Sequence, residues 1–295
     1  MAELKDQLGE IIKSISNEIM VNATTKVSAV TGLNKLESSK NYNVPIDEAL
    51  NITLNNLTGI CNISPSNNTN LAMHITYNHE DNNTFSLLKK DGHVYFNVSA
   101  DVNINKIDLY VPQNFIKDIS IKSFEDSEII INDLCLNRII STSKNITLNI
   151  ANCEISDLTI NAEMVELNPK KTTIYNLSVV TNKCLLMEKK SNFKNINILT
   201  KEGDIYYKIQ NDFFKYTKHC LTVETGNVNV TIKDKDSYHK TIRVFKQNGY
   251  LKMNCGVKLR QEGYFDKYHE DNYYRKKPQK LYLDYVVKSG TVIVK

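Results

Sequence analysis

The sequence predicts a mainly β fold: a β-solenoid, or β-helix-like stack of short strands, preceded by an N-terminal amphipathic α-helix. Three observations indicate this class. Apolar residues recur at nearly equal steps in the centre of the chain, the segments that carry them alternate with a period of two, and residues 3–30 follow a helical period instead. We expect a helical segment over residues 1–38 and a solenoid domain over residues 46–295.

The N-terminal segment carries an apolar stripe at helical spacing. Its members recur three or four residues apart, with acidic, basic and amide side chains between them. They are Leu4, Leu8, Ile11, Ile15 and Ile19. Such a stripe must contact something apolar, and three surfaces fit it: the open end of the solenoid, a second helix in a coiled-coil contact, or a membrane surface. These five residues are therefore candidate partner-binding residues.

Short strands are predicted ahead of the central repeats. Alternating segments rich in Ile, Val, Leu, Thr and Tyr are typical of half-buried strands. They lie at 51–57, 71–77, 84–89 and 93–99. Further along, Ile104, Ile107, Leu109 and Val111 alternate before Pro112.

The central repeat predicts two brief strands in each winding. The first strands carry Ile119, Ile139, Leu158, Leu177 and Ile196, and the second strands open at Ile129, Leu148, Val165, Leu185 and Ile205. No single unit of this size buries its own apolar face. Stacking successive windings about 4.8 Å apart buries all of them in one column. The intervals are too short for crossover helices, so the parallel strands are expected to form a solenoid rather than an α/β fold.

Three later windings each contain a glycine at a corner. Gly203, Gly226 and Gly290 each precede the second strand of a winding. A tight turn that needs a positive φ favours glycine at such a corner. Two later segments, 282–286 and 291–294, supply the strands of a last winding.

Residues 233–280 interrupt the repeat. Alternation before and after Gln247–Tyr250 predicts a β-hairpin, since Asn-Gly is the strongest hairpin-turn signal. The loop that follows is rich in aromatic and basic groups, which are favoured at binding surfaces. Its candidate partner-binding residues are Tyr268, Tyr273, Tyr274, Arg275 and Lys276. The alternative is a solvated loop whose tyrosines pack against the solenoid wall.

The stretch Leu109-Tyr110-Val111-Pro112-Gln113-Asn114, followed by Ile119-Ser120-Ile121 and by windings with a Ser/Thr-Gly-x-Ile/Val turn, resembles the bacterial putative adhesin family of unknown function. The resemblance covers residues 50–232 and 281–295. It implies a single β-solenoid domain, and it implies no catalytic residues because that family has none defined. The sequence departs from the pattern at 124–127 and 143–145, where the turn glycine is missing, and in 233–280.

Composition and motifs argue against several functional classes. A net charge of +4 is too small to indicate a dedicated nucleic-acid binder. No run approaches the roughly 20 apolar residues of a membrane span, and the N-terminus lacks signal-peptide features, so we expect a cytoplasmic protein that is at most membrane-peripheral. The histidines lack metal-ligand spacing, and no nucleotide or nucleophile motif occurs. We therefore expect no cofactor, no metal and no catalytic residue.

Three functions fit these observations. We favour a non-enzymatic structural or interaction protein, a rigid scaffold that presents binding surfaces to a protein partner or to a second copy. The first alternative is a carbohydrate-binding or carbohydrate-active solenoid that uses outward carboxylates such as Asp126 and Glu128. The second is an envelope-associated module that the N-terminal helix docks on a membrane. No small-molecule substrate is indicated.

Overall fold

Every regular element in the described part of the chain is a β-strand, as the alternating segments rich in β-branched residues favour. The structure is a computed structural model. The mainly β fold class is confirmed. The described residues are 22–29, 36–46, 48–78, 85–99, 104–113, 115–210, 214–233, 238–255, 258–262, 265–269 and 279–295.

Six long strands form the centre of the molecule. They are β9 (Ile116–Asn132), β10 (Cys135–Ala151), β11 (Glu154–Lys170), β12 (Thr173–Met187), β13 (Asn192–Ile209) and β14 (Tyr216–Ile232). Near the middle of β12 the alternation of buried and exposed side chains slips by one residue at Asn182, and the neighbouring strands slip at the equivalent place. We call this place the corner; it divides each strand into a first arm and a second arm. The two arms correspond to the two brief strands that the sequence predicts.

These six strands pair in parallel, each with the next one along the chain. Through the centre of the stack the step between paired residues is constant, so that Ile139 pairs with Leu158 and Leu158 with Leu177. The column predicted for the first arms is confirmed: all five of its side chains are at most 2% exposed. The core therefore lies inside the stack, between the two arms of every strand.

The second arms differ from the prediction in two residues. Leu167 and Leu186 occupy the column of Ile129 and Leu148, in place of the predicted Val165 and Leu185. Val165 is also buried, two residues before Leu167, whereas Leu185 is only partly buried. At Leu185 and Leu186 the sequence offers two adjacent apolar residues, and the slip in alternation at the corner decides which of them faces the core. Val165 and Leu167 lie two residues apart, and both face the core.

A second kind of corner connects each of several strands to the next. Its residues have a left-handed backbone, with φ of 57° at Asp133, 54° at Asn152, 50° at Lys171 and 59° at Lys190. These positions follow one another at the same constant step as the paired residues of the stack. Aspartate and asparagine tolerate this conformation better than most residues, but lysine has no such preference. The constant step between windings thus depends on a left-handed residue at each of these positions. The two lysines adopt this conformation although it is unfavourable for them.

The N-terminal strands continue the stack in an order that differs from their order along the chain. They are β1 (Asn22–Ala29), β2 (Leu36–Pro45), β3 (Leu50–Asn55), β4 (Gly59–Ser66), β5 (Asn70–Asn78), β6 (Phe85–Lys90), β7 (His93–Val98) and β8 (Ile104–Pro112). Strands β3 and β4 pair with the two arms of β9 on one side and with β7 and β8 on the other. They therefore lie between β9 and the pair of strands that precedes β9 along the chain. Beyond them, β8 pairs with β5, β5 with β2 and β2 with β1, all antiparallel.

The C-terminal end shows the same kind of interleaving. Its strands are β15 (Tyr238–Met253), β16 (Lys258–Glu262), β17 (Phe265–His269) and β18 (Gln279–Val294). Strand β18 pairs in parallel with β14 on one side and with β15 on the other. The last strand of the chain is thus inserted between two strands made earlier, and the short strand β17 pairs with the first arm of β15.

The hairpin predicted at Gln247–Tyr250 is wrong. Strand β15 runs through this segment as one strand, and Gly249 pairs with Gly290 of β18. Asn248-Gly249 therefore occupies the same corner as Thr225-Gly226 and Ser289-Gly290, and the segment is one more bent strand of the stack.

The N-terminal helix predicted over residues 1–38 is wrong where the structure describes this segment. Residues 22–29 form strand β1, and Leu36 begins strand β2. The β-branched residues Thr24, Thr25 and Val27 favour a strand over a helix in this segment. The apolar stripe from Leu4 to Ile19 lies outside the described residues, so its helical character stays a prediction.

Candidate functional site

The binding residues proposed from the sequence lie mostly outside the part of the chain that the structure describes. This holds for Leu4, Leu8, Ile11, Ile15, Ile19, Tyr273, Tyr274, Arg275 and Lys276. The remaining one, Tyr268, belongs to strand β17 and pairs with Ile242 of β15. Their assignment as a binding surface stays a prediction.

The described surface instead carries an apolar groove beside the corner of the central strands. We call it the corner groove. It has a volume of about 540 Å³ and is lined by residues of β10 to β14 and of β18. Its most exposed apolar side chains are Val180, which is 46% exposed, and Leu199, which is 50% exposed. These two residues pair across β12 and β13. Two aliphatic side chains therefore lie side by side on the outward face of these strands, away from the inward-facing core.

The sequence holds a signal for this groove. Val180 follows the buried Val179, and Leu199 follows the buried Ile198. In strands with one buried face the residue after a buried position is expected to be polar. Two adjacent apolar residues at equivalent positions of neighbouring windings therefore mark an outward apolar pair. The signal can be recognised only once the register of the arms is known.

A row of six polar side chains, five of them charged, borders the groove along the corner. Each member is the residue that the strand register skips, and all six side chains are exposed. We call this set the corner row: Lys144, Glu163, Asn182, Lys201, Glu224 and Lys288. The Nζ atom of Lys288 lies 2.7 Å from Oε1 of Glu224, and this hydrogen bond lowers the pKa of the Glu224 carboxyl. Charges of both signs therefore line an aliphatic groove.

Buried hydroxyl groups hold the backbone at the corner. The Thr181 hydroxyl oxygen lies 2.9 Å from the carbonyl oxygen of Glu163 and 3.0 Å from that of Lys183, and its one proton can be donated to either. The Thr200 hydroxyl in the next strand has the same relation to the carbonyl oxygens of Asn182 and Glu202. An unpaired buried carbonyl costs about 1–3 kcal/mol, so these bonds stabilise the turn. They fix the backbone on which the corner row is mounted.

Asp126 and Glu128, the carboxylates considered for sugar cleavage, are hydrogen-bonded to side-chain amides of the next strand. The amide of Asn145 donates to Oδ1 of Asp126 at 2.7 Å, and that of Asn149 donates to Oε1 of Glu128 at 2.8 Å. Similar amide ladders recur elsewhere, as in the bond from Asn176 to Asp157. Such ladders run parallel to the stack and reinforce it. Both carboxylates thus have a structural role that accounts for their positions.

His219 belongs to a buried network in the core. The Tyr285 hydroxyl lies 2.8 Å from that of Tyr207, which lies 3.0 Å from Nδ1 of His219, and Nε2 of His219 lies 3.4 Å from the Phe193 carbonyl oxygen. A neutral histidine that carries its proton on Nε2 satisfies all three contacts. Burial lowers the pKa of His219 to about 3 and raises the pKa of both tyrosines.

No cluster of three or more His, Cys, Asp or Glu side chains with the arrangement of a metal site occurs among the described residues. Within the same ranges, no helix has the length and apolar character that a membrane crossing requires. Cys61, Cys153 and Cys184 are buried thiols, and burial raises their pKa to about 12, 11 and 12. Such thiols are poor nucleophiles because the thiolate is the reactive form.

No family model and no curated protein matches the sequence. Among solved structures, the chain is similar to a putative adhesin from Parabacteroides distasonis, with 12% identity over 94% of this chain and 98% of that chain and a TM-score of 0.44. It is also similar to a putative adhesin from Bacteroides fragilis, with 12% identity over 87% and 97% and a TM-score of 0.38. A third is a putative cell adhesion protein from Clostridium sporogenes, with 12% identity over 93% and 99% and a TM-score of 0.26.

The names of these structures agree with the family resemblance carried by the stretch from Leu109 to Asn114 and by the corner glycines. Identities and TM-scores at this level are too low to transfer a function from one chain to another. What the corner groove does has to be argued from its own residues.

Proposed function

We propose that this chain is a non-enzymatic β-solenoid scaffold that binds a protein partner through the corner groove. The solenoid description is supported by the parallel registers of β9 to β14, which keep a constant step through the centre, and by the columns of buried side chains inside them. A stack of this kind is stiff, because every winding is hydrogen-bonded to the windings on both sides of it.

The outward pair Val180 and Leu199 carries the proposal. Fully burying an aliphatic side chain contributes about 1.5–3 kcal/mol, and each of these two is already about half buried. Covering the rest would therefore contribute about 1 kcal/mol for each residue. Leaving both exposed gives the isolated molecule no benefit, so a partner that covers them accounts for their presence.

The surroundings of this pair fit a protein better than another ligand. The groove is lined by aliphatic, hydroxyl and amide side chains, and the corner row adds acids and bases in alternation. An apolar centre with a mixed polar rim is the usual composition of a protein interface. The groove also crosses several windings, so a partner contacts side chains that the stack holds at fixed spacing.

A photo-crosslinking experiment tests the proposal. The photoreactive residue p-benzoylphenylalanine replaces Leu199 in the groove and, as a matched control, Lys218 on the first arm of β14, which is also exposed. The full chain is irradiated in its source cells. The expected result is a discrete protein adduct at position 199 that is absent at position 218, with the adduct identified by mass spectrometry and reproduced with purified proteins.

The substitution Leu199→Asp provides the second arm of this experiment. It places a charge on the groove floor without touching the buried core, so the far-ultraviolet circular dichroism should be unchanged while the identified adduct is lost. Equal labelling at positions 199 and 218, or no adduct at 199, would overturn the proposed groove function.

A further inference from the structure

The charges of the corner row are arranged antisymmetrically about Asn182. One winding away from Asn182, Glu163 lies on one side and Lys201 on the other. Two windings away, Lys144 lies on the first side and Glu224 on the second. At each distance an acid on one side of Asn182 thus corresponds to a base on the other. A two-fold rotation that reverses the direction of the stack exchanges the two sides.

We propose that the corner groove binds a second copy of this chain, with the two stacks antiparallel and the two-fold axis passing through Asn182 across the stack. The rotation places Glu163 opposite the partner's Lys201 and Lys144 opposite the partner's Glu224. Because the contact is symmetric, each of these pairs occurs twice. The arrangement rests on the proposed function, since it takes the groove to be a protein contact surface, and it names the occupant.

The same charges disfavour other alignments. A parallel pair of stacks in register would place each charged residue opposite its own copy, such as Lys201 opposite the partner's Lys201. An antiparallel pair shifted by one winding would place Glu163 opposite the partner's Glu224 and Lys144 opposite the partner's Lys288. Like charges in contact across an interface repel each other and suppress wrong pairings. The row therefore specifies both the direction and the register of the dimer.

The apolar side chains of the corner groove also fit the register of this antiparallel dimer. Val180 precedes Asn182 by two residues on the same strand and shares its winding, so the axis brings Val180 close to the partner's Val180. Leu199 lies one winding away and meets the partner's Asn161, which belongs to the same outward column. At the end of the row, Lys288 lies opposite the corner of the partner's β9, where Glu125 is exposed.

The contact is small. The six windings of the corner row span about 24 Å at the usual strand spacing of about 4.8 Å. One edge of the stack over that length buries less surface than a stable dimer of standard size. The expected dimer is therefore weak, forms in the micromolar range, and dissociates as salt screens the corner row.

Sedimentation velocity on the full chain tests the charge pairing. The wild type should shift from monomer to dimer with rising concentration at low salt and revert at about 1 M NaCl. The variants Glu163→Lys and Lys201→Glu each create like-charge pairs and should weaken the dimer by about tenfold or more. Combining both substitutions restores opposite charges and should recover dimerisation to within about threefold of the wild type. Lys218→Glu, away from the row, should leave the equilibrium unchanged.

Disulfide formation tests the position of the axis. In a Cys135→Ser background, Asn182→Cys places two thiols at the two-fold axis, within reach of each other, and should give a covalent dimer under oxidation. Asn161→Cys is the matched control, since it is also an exposed asparagine but lies two windings from its own copy. It should remain monomeric under the same oxidation.

A wild type that stays monomeric at every concentration, or a double charge swap that fails to restore what the single reversals weaken, would overturn the dimer. So would equal disulfide formation by Asn161→Cys and Asn182→Cys. A monomeric chain that still gives a groove adduct with a different protein would refute the dimer alone and leave the proposed function standing.

Discussion

At the residue scale, the buried network of Tyr207, His219 and Tyr285 makes stability depend on pH. The folded pKa of His219, about 3, lies below its ordinary value of 6.5, so the unfolded chain takes up a proton in this range and the folded chain does not. The stabilising contribution is complete above about pH 6.5 and is lost as the pH falls from 6.5 towards 3.

Urea unfolding at pH 7 and pH 4.5 measures this effect. Two pH units below the ordinary pKa, the wild type should lose about 3 kcal/mol through His219 alone. The variant His219→Asn keeps an acceptor for Tyr207 but does not titrate, so its loss over the same interval should be smaller by about that amount. An equal loss in both proteins would show that His219 already titrates normally in the folded chain.

Replacement of a corner glycine by alanine is expected to destabilise the chain much more at Gly290 than at Gly203. A Cβ atom at Gly290, where φ is 135°, would lie 1.8 Å from the carbonyl oxygen of Gly226. At Gly203 the nearest atom to a Cβ is the side-chain Cγ2 of Thr200 at 2.8 Å, and φ is not in the left-handed region. We expect Gly290→Ala to destabilise the chain by about 3 kcal/mol or more and Gly203→Ala by about 1 kcal/mol.

Urea or thermal unfolding of the two alanine variants checks this difference, and similar costs at both positions would contradict it. The sequence predicted glycine at these corners from the turn conformation alone. The structure adds that the glycines of successive windings stack on one another, and no local pattern reveals that requirement. The left-handed Lys171 and Lys190 were not predicted, because lysine is not a typical turn residue.

At the scale of elements, strand β18 holds the C-terminal end together. It supplies six inward side chains that are at most 1% exposed: Leu281, Leu283, Tyr285, Val287, Val292 and Val294. Burial at about 1.5–3 kcal/mol each is comparable with the whole stability of a typical domain, about 5–15 kcal/mol. Without this strand, β14 and β15 lose the partner that they share.

Deleting residues 279–295 should therefore leave β14 and β15 unpaired on the sides where β18 lay between them. Hydrogen exchange should show loss of protection at Val228 and Val230 of β14, which lie beside Val292 and Val294 of β18, while Ile139 and Leu158 in the centre stay protected. A synthetic peptide of residues 279–295 should restore protection at β14, and a scrambled peptide should not. Unchanged protection of Val228 after the deletion would contradict the shared-partner role of β18.

The error at Asn248-Gly249 shows why element type was easier to predict than connectivity. Alternation on both sides of Asn-Gly is common to a hairpin and to a bent strand of the stack. The two differ in the partner of the strand, which for β15 is β18, the last strand of the chain. Local sequence contains no information about that partner, and the order of strands at both ends escaped prediction for the same reason.

At the scale of the whole molecule, the stack was predictable because repetition amplifies a weak signal. A single alternating segment is ambiguous, but a series of apolar residues at nearly equal steps, from Ile119 to Ile196, is not. The corner groove was not predicted, since it consists of residues from several windings that come together only when their registers are known. The partner that the corner groove binds depends on the order of charges along the corner row. That order also arises only when the strands are stacked in register.

The regular centre predicts that the molecule tolerates added windings there. Two extra copies of residues 154–172, inserted after Thr172, present the same contacts that β11 already makes with its neighbours. We expect a folded protein about 10 Å longer by small-angle X-ray scattering. Insertion of the same number of Gly and Ser residues should leave the length of the stack unchanged. A collapsed or unfolded product from the duplicated windings would contradict the independence of the central units.

The interleaved ends bear on how the protein is made. During synthesis, β14 and β15 leave the ribosome before β18, so the space between them stays empty until β18 follows. These windings therefore close later than their order along the chain suggests. Until then the nascent chain presents two strand edges and an uncovered apolar interior, and it has to be kept from joining neighbouring chains until β18 is inserted.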